Sequence, residues 1–434
     1  MRIYVTSLGC KLNQAEMDAL AARLAPGGHE VVRSAAEADL CILNTCAVTH
    51  VAAQKSRQAL RRLHRENPAA RLIATGCYAE LAPAELQPLP GVERVVGNQE
   101  KDRLAELIEA PVRAPLDSVS RPSAEASGSA RPWSRTRALV KIQDGCDNAC
   151  TYCIIHVARG PQRSRPVDQV LSEVQARLEA GHKEVVLTGV HIGAYGRDGR
   201  DRMPGGHADL WVLVERILAE TDVIRLRLSS IEPWDLPAHA FRLWEDRRLC
   251  RHLHLPLQSG ADAVLHRMNR RYTAPKFARL VQAAREAIPD LAVTTDVIVG
   301  FPGETAGEFA ESLAFVESMG FARVHVFPYS LREHTSAAGM ADQVPPPVKA
   351  ERARAMRAVA EESARAFRQR FVGREMAVLW ETSRHGEAGP TWSGLTDNYL
   401  RVRTVSTADL TNRVMRTRLI QLAPGGLHGR IDLP

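Results

Sequence analysis

The sequence predicts an α/β protein in three successive parts, and three observations carry that prediction. Over residues 1–110, short β-rich runs alternate with helical stretches. From Ala138 to about Ser330 the same rhythm returns, now with six strand candidates. From Val372 to Pro434, short alternating strands are broken by glycine-rich turns. Alternating strand and helix implies a parallel sheet covered by helices, whereas a run of short strands implies a sandwich or barrel. The expected organisation is a small parallel-sheet domain over 1–110 and a linker over 111–137. An open, partial (β/α)6 barrel with a basic helix follows over 138–371, and a small β-barrel over 372–434.

In the first part the strand candidates are RIYVTSLG, DLCILNT and RLIATG, separated by helical stretches at Gln14–Leu24 and Val51–Glu66. Cys10, Cys46 and Cys77 each fall just after one of these strands. Parallel strands end on the same edge, so three distant cysteines are expected to meet in one crevice. They read either as ligands of an iron–sulfur cluster or as small buried residues that close strand ends. Cys41 lies inside its strand and Cys250 in RRLCRHLHL, and both read as inert core thiols. Between Ala110 and Arg137 the composition shifts to Pro, Ser, Ala and Gly, which is linker composition, with Trp133 as an anchoring contact.

The second part offers ALVKIQ, EVVLTG, VIRLRLSS, HLHLPLQ, LAVTTDVIVG and FARVHVFPY as strands. Chemistry on such a barrel gathers at the carboxyl ends of the strands. The polar residues comply: Cys146 follows the first strand, and Thr188 and His191 the second. Ser229, Ser230 and Glu232 follow the third, and Gln258 and Ser259 the fourth. Asp296 sits inside an apolar fifth strand, where an unpaired carboxylate is costly unless it faces a lumen beside a cofactor. The alternative for these residues is loop capping and turn formation. Gly300 and Gly303 in VGFPGE are expected to form a tight turn. Lys349–Phe371 reads as a helix crowded by Arg352, Arg354, Arg357, Arg365, Arg368 and Arg370, either solvated or on RNA.

The most informative stretch is KIQDGCDNACTYCIIHVAR, between Lys141 and Arg159. Its Cys146, Cys150 and Cys153, spaced CxxxCxxC, can hold three irons of a [4Fe–4S] cube and leave the fourth open to a substrate or cofactor. A zinc site of the same cysteines with His156 is the alternative, although structural zinc more usually takes paired CxxC hairpins.

Further motifs accompany this loop: LNTCAVT (Leu43–Thr49), IQDGC, TGVHIGAYG (Thr188–Gly196), LPLQSGAD (Leu255–Asp262) and TTDVIVGFPGET (Thr294–Thr305). Together with Tyr152 before the third cysteine, they resemble a radical S-adenosylmethionine (SAM) tRNA methylthiotransferase, in the branch acting on threonylcarbamoyladenosine. Nearly the whole chain is covered, since the tail is similar to the RNA-binding TRAM module, an OB-like barrel. His156 stands where the family usually has Pro, and Gly160–Pro166 and Tyr329–Met340 also depart from the common pattern. The isopentenyladenosine branch usually shows a GQNVN-like stretch where this chain has GVHIGAYG.

The resemblance implies two [4Fe–4S] clusters, on Cys146/Cys150/Cys153 and on Cys10/Cys46/Cys77. The first would reduce SAM to methionine and a 5′-deoxyadenosyl radical that removes hydrogen from C2 of the adenine next to the anticodon. The second would hold the methylated sulfur, a second SAM supplying the methyl group. Tyr152, Thr188, Glu232, Gln258 and Asp296 are the expected SAM neighbours. Arg401, Arg403, Arg413, Arg416 and Arg418 of the tail are available for tRNA phosphates. A formal net charge of +7 suits that polyanion. The remaining expectations are a monomer in the cytoplasm, no membrane span, and an electron donor such as flavodoxin or ferredoxin. An iron–sulfur or zinc RNA-binding protein without catalysis is the non-enzymatic alternative.

Overall fold

The computed structural model describes residues 1–109, 136–199, 202–203, 206–386 and 389–431. The chain divides into two compact units, Met1–Ser134 and Arg135–Pro434. The linker and Trp133 lie outside the described residues, except that Arg137 already begins a strand.

The first unit holds five parallel strands: β1 (Arg2–Ser7), β2 (Glu30–Val31), β3 (Leu40–Thr45), β4 (Arg71–Gly76) and β5 (Val92–Val96). Their order is β2-β1-β3-β4-β5. Every residue of β3 is buried, as a central parallel strand with both faces covered requires. The helices are Lys11–Leu24 and His50–Glu66, the latter capped by the Thr49 hydroxyl, which accepts from the Ala52 amide at 3.1 Å. Because β1, β3 and β4 are parallel neighbours, their carboxyl ends share one edge, with Cys10, Cys46 and Cys77 on it. Strands β2 and β5 add to the three strands expected there.

The second unit opens with β6 (Arg137–Lys141), β7 (Glu184–Thr188), β8 (Leu226–Leu228), β9 (His252–His254), β10 (Ala292–Val299) and β11 (Arg323–Pro328). Within β6–β8 and within β9–β11 neighbours pair in parallel, and parallel bridges Leu226–Leu249 and Ser230–His254 join the two halves. First and last strands do not pair among the described residues, so the barrel is open. Val185, Leu187, Leu226, Leu253, Val293 and Phe277 are fully buried in its core. Gly300 and Gly303 both take positive φ, as the expected turn demands.

The basic helix spans Pro346–Gln369. Arg352 is neither solvated nor free for RNA: it is buried and bonds the Glu304 carboxylate at 2.7 Å, because its helix face packs on the barrel. Arg354, Arg357, Arg365 and Arg370 are exposed, and Arg368 bonds Glu361 at 2.5 Å.

Strands β12 (Glu375–Gly386), β13 (Gly389–Thr396), β14 (Arg401–Val405), β15 (Val414–Ala423) and β16 (Gly426–Arg430) close into a barrel in the order β12-β13-β14-β16-β15. This barrel docks on the amino ends of the parallel strands. Arg225 donates to the Leu395 and Ala377 carbonyls at 3.0 and 2.7 Å, and Arg227 to the Asp397 carbonyl at 2.8 Å. Arg251 bonds the Asp397 carboxylate at 2.6 Å, and Arg137 bonds Glu381 at 2.7 Å. The carboxyl ends of β6–β11 are thereby left to the cysteine loop. No helix among the described residues is long and apolar enough to cross a membrane.

Candidate active site

The CxxxCxxC loop is pinned from two sides. Gly145 takes φ +70° and a side chain there would strike the Pro161 carbonyl, two separate demands for glycine, and the Cys146 amide donates to the Gly160 carbonyl at 3.1 Å. Gln143, fully buried, donates to the Asp144 and Gly145 carbonyls. Its side-chain oxygen accepts from the Val190 and His191 amides at 3.0 and 2.8 Å, which ties the loop to the end of β7. On the other side the Thr151 hydroxyl donates to the Arg267 carbonyl at 2.9 Å, and Asn269 donates to the Ala149 carbonyl at 2.9 Å.

Donors address each of the sulfurs: the Asn148 amide that of Cys146 at 3.4 Å, Arg270 Nη1 that of Cys150 at 3.4 Å, and the Ile155 amide that of Cys153. Burial pushes the free Cys150 thiol up, and that of Cys153 to about 12. Thiols so placed become thiolates when a metal supplies the compensating charge. A tetrahedral zinc site requires ligand atoms about 4 Å apart. Among the described residues only His254, Asp296 and His325 bring three ligand atoms within 4.8 Å, so Cys146, Cys150, Cys153 and His156 do not form a ready-made compact set of that kind. A soft three-thiolate set is the donor chemistry of an iron–sulfur cube.

The SAM neighbours named from the sequence are distributed around this loop. Tyr152 is half-buried, with its hydroxyl 3.5 Å from Arg270 Nη1. Thr188 ends β7 and is buried, its carbonyl accepting from the Ile142 amide at 2.9 Å. Glu232 follows β8 and receives both terminal nitrogens of Arg270. Gln258 holds φ +65°, a strained conformation for a residue with a side chain, and bridges the backbone of β10. Asp296 is not an isolated carboxylate: His254 Nε2 lies 3.3 Å away, and His325 is its register partner on β11. Ser229 Oγ is buried with no partner among the described residues, whereas Ser259 accepts from the Ala261 amide, a turn role.

Arg270 was not legible in the sequence, since nothing separates it from the arginines around it. In the structure it is buried, with the Trp234 and Tyr272 ring centres 4.9 and 5.2 Å from its guanidinium, and it links Glu232 to Cys150. Asp235 was missed as well. Fully buried, it accepts from Arg197 at 2.6 Å and bonds His191 Nε2 at 2.5 Å, so that His191 Nδ1 faces Asn148 at 3.2 Å and Cys146 Sγ at 3.9 Å. Burial opposes charge on His191, but Asp235 and Cys146 outweigh it and raise the imidazole to about 9.

In the first unit the loop after β1 touches the loop after β3, and the carboxyl end of β4 packs against that of β3. A side chain on Gly9 would lie 2.7 Å from Cys46 Sγ, and one on Gly76 would meet Asn44 Oδ1 and the Thr45 carbonyl. Buried Asn13 donates to the Leu8 and Thr45 carbonyls at 2.8 and 3.1 Å, and Asn44 bonds Glu16, which Lys101 neutralises at 2.7 Å. Cys46 and Cys77 are buried and Cys10 is exposed. The donor set, three thiols at the carboxyl ends of neighbouring strands, suits a second cluster. Cys41 and Cys250 are buried, and burial raises both thiols, to about 11 and about 12. Since Gly76 has φ +98°, Gly76→Ala is expected to destabilise the first unit by about 2 kcal/mol or more and to displace Cys77. Thermal unfolding and iron content after reconstitution check this.

On the C-terminal barrel Arg413, Arg416 and Arg418 are exposed. Arg401 and Arg403 are half-buried, donating to Ser393 Oγ at 2.8 Å and the Pro424 carbonyl at 2.9 Å.

Residues 140–316 match the radical SAM superfamily, and residues 2–97 match a family described as uncharacterized protein family UPF0004. The chain is 38% identical to the threonylcarbamoyladenosine tRNA methylthiotransferase MtaB of Bacillus subtilis, covering 96% of this chain and 93% of that one. It is 34% identical to the tRNA-2-methylthio-N(6)-dimethylallyladenosine synthase of Novosphingobium aromaticivorans, covering 98% and 96%. Among solved structures, the radical SAM methyltransferase TsrM of Kitasatospora setae superposes with a TM-score of 0.56 at 17% identity, over 78% of this chain and 77% of that one, a likeness of fold.

Proposed function

The chain belongs to the radical SAM tRNA methylthiotransferases, and on that premise we propose that it adds a methylthio group to C2 of N6-threonylcarbamoyladenosine beside the anticodon of tRNA. The observation that carries this reading is the three-cysteine loop held at the carboxyl ends of six parallel strands, with Arg270 and Asn148 donating to its sulfurs. Cys146, Cys150 and Cys153 hold the cluster that binds SAM, and Cys10, Cys46 and Cys77 a second. Bound there, clusters and SAM supply the one-electron chemistry that side chains cannot, breaking an unactivated C–H bond.

The protein's own part is placement. Arg270 fixes Glu232 on the rim beside Cys150, and Gln143 sets the loop against the end of β7. Tyr152, Thr188, Glu232, Gln258 and Asp296 line the SAM site; ribose and α-amino groups need such hydrogen-bonding partners. Arg413, Arg416 and Arg418, with Arg401 and Arg403 at their margin, bind tRNA phosphates, and the target base is unstacked from the anticodon loop. The division at 110, 137 and 371 stands as the domain reading. The working form is a cytoplasmic monomer reduced by a flavodoxin or ferredoxin.

The test is an anaerobic assay of reconstituted protein with SAM, reductant and tRNA carrying either threonylcarbamoyl- or isopentenyl-adenosine, read by nucleoside mass spectrometry. A methylthio mass gain on the threonylcarbamoyl nucleoside alone is the expected result. A gain on the isopentenyl nucleoside overturns the substrate. No gain and no SAM cleavage overturns the enzyme in favour of an RNA-binding protein.

A further inference from the structure

We propose that Arg271 reads the carboxylate of the threonylcarbamoyl group, and so sets which modified adenosine the enzyme accepts; this rests on the function proposed above. The threonylcarbamoyl substituent ends in a carboxylate, whereas an isopentenyl group is apolar. A site that takes the first must supply a cation with hydrogen-bond donors, and arginine provides both in one planar fork.

Most cations around the cysteine loop are already committed to acids. Arg270 is bound to Glu232, Arg197 to Asp235, Arg159 and Lys141 to Asp144, and Arg267 to Glu308. Arg271 differs. It is exposed, it makes no ion pair among the described residues, and its guanidinium lies 5.7 Å from the centre of the Trp234 ring.

That ring locates Arg271 at the reaction centre. Trp234 also carries Arg270, which touches Cys150 Sγ, and it meets edge-on the His191 ring that faces Cys146. An uncommitted arginine is thus held by one indole within reach of both cysteine contacts. The indole Nε1 itself is buried without an acceptor among the described residues, which leaves a second unpaired donor beside the arginine. A guanidinium held near an aromatic face by cation–π attraction, with no acid bound, keeps N–H groups available for two-point carboxylate binding.

The test compares two anticodon stem-loop RNAs, one bearing threonylcarbamoyladenosine and the other its neutral threonine carboxamide. Methylthiolation kcat and KM are measured on the holoenzyme for the native chain, Arg271→Gln and Arg271→Lys. The native enzyme should prefer the acid by roughly 10- to 100-fold in kcat/KM, the span of a charge-assisted hydrogen bond. Arg271→Gln should bring that preference close to unity, chiefly by raising KM for the acid, and Arg271→Lys should restore part of it. A Gln variant that keeps the native preference overturns the proposal. So does one that loses acid and amide equally, which marks a merely structural arginine. If the native enzyme cleaves SAM yet methylthiolates neither RNA, the functional reading has failed first and the proposal falls with it.

Discussion

Replacing Cys146, Cys150 and Cys153 together by alanine is expected to abolish both SAM cleavage and methylthio transfer, and to halve the iron bound on reconstitution. The three thiols share one short loop whose Arg270 and Asn148 donors are aimed at sulfur. Without thiolates no cube forms there, and no side chain on the rim can take over its redox role. The complementary variant, with Cys10, Cys46 and Cys77 replaced, is expected to lose the other half of the iron. It should retain SAM cleavage to 5′-deoxyadenosine while losing the methylthio product. Iron analysis, electron paramagnetic resonance of the reduced clusters and product mass spectrometry read the two outcomes separately. If the second variant keeps its full iron content, the first unit holds no cluster and its cysteines only close strand ends.

Both trios could be found in the sequence, for different reasons. The CxxxCxxC loop is local, so spacing alone reveals it. Cys10, Cys46 and Cys77 are visible only through the fold, because β1, β3 and β4 are neighbours whose carboxyl ends share an edge. The six barrel strands stand out as β-rich runs of branched and aromatic residues, some with an unbroken apolar centre, as Val185–Leu187 in β7, and others interrupted by Arg or His, as in β8, β9 and β11. What escaped was of two kinds. Strand β2 is two residues long, and β13 and β16 carry glycine or proline, so no periodic signal marks them. The other kind is partnered charge. Arg225, Arg227, Arg270 and Arg352 look like any surface arginine in a basic chain, yet each is buried against an acid or carbonyl far away in sequence. Asp235 and Glu184 likewise acquire meaning only from their partners. A sequence shows which residues carry charge but not which of them will meet.

The buried pair Glu184–Arg227 is where such a meeting has the largest expected effect on stability. Both side chains are fully buried, 2.7 Å apart, and Arg227 reaches on to the Thr396 and Asp397 carbonyls of the C-terminal barrel. Tyr399 covers the guanidinium at 4.8 Å. Glu184→Ala leaves Arg227 charged and buried without its acid, which typically costs about 3–5 kcal/mol. At about 2–4 °C per kcal/mol for a unit of this size, the expected loss in Tm is roughly 6–20 °C. The double variant Glu184→Leu with Arg227→Met removes both charges. It should recover most of the loss but not all, because the two carbonyls then lose their donor. The pH dependence follows from the same geometry. Burial works against ionisation of Glu184, but Arg227, Arg137 and Arg225 prevail and hold its carboxyl below the ordinary range. Its contribution is therefore complete above the ordinary glutamate value of about 4.3 and is lost as pH falls through the lower folded value. Thermal unfolding of the native chain should accordingly weaken with acid more steeply than that of the double variant. Equal acid sensitivity in the two would mean that the C-terminal barrel is held on the parallel strands by its other contacts, Arg225 and Arg251 first among them.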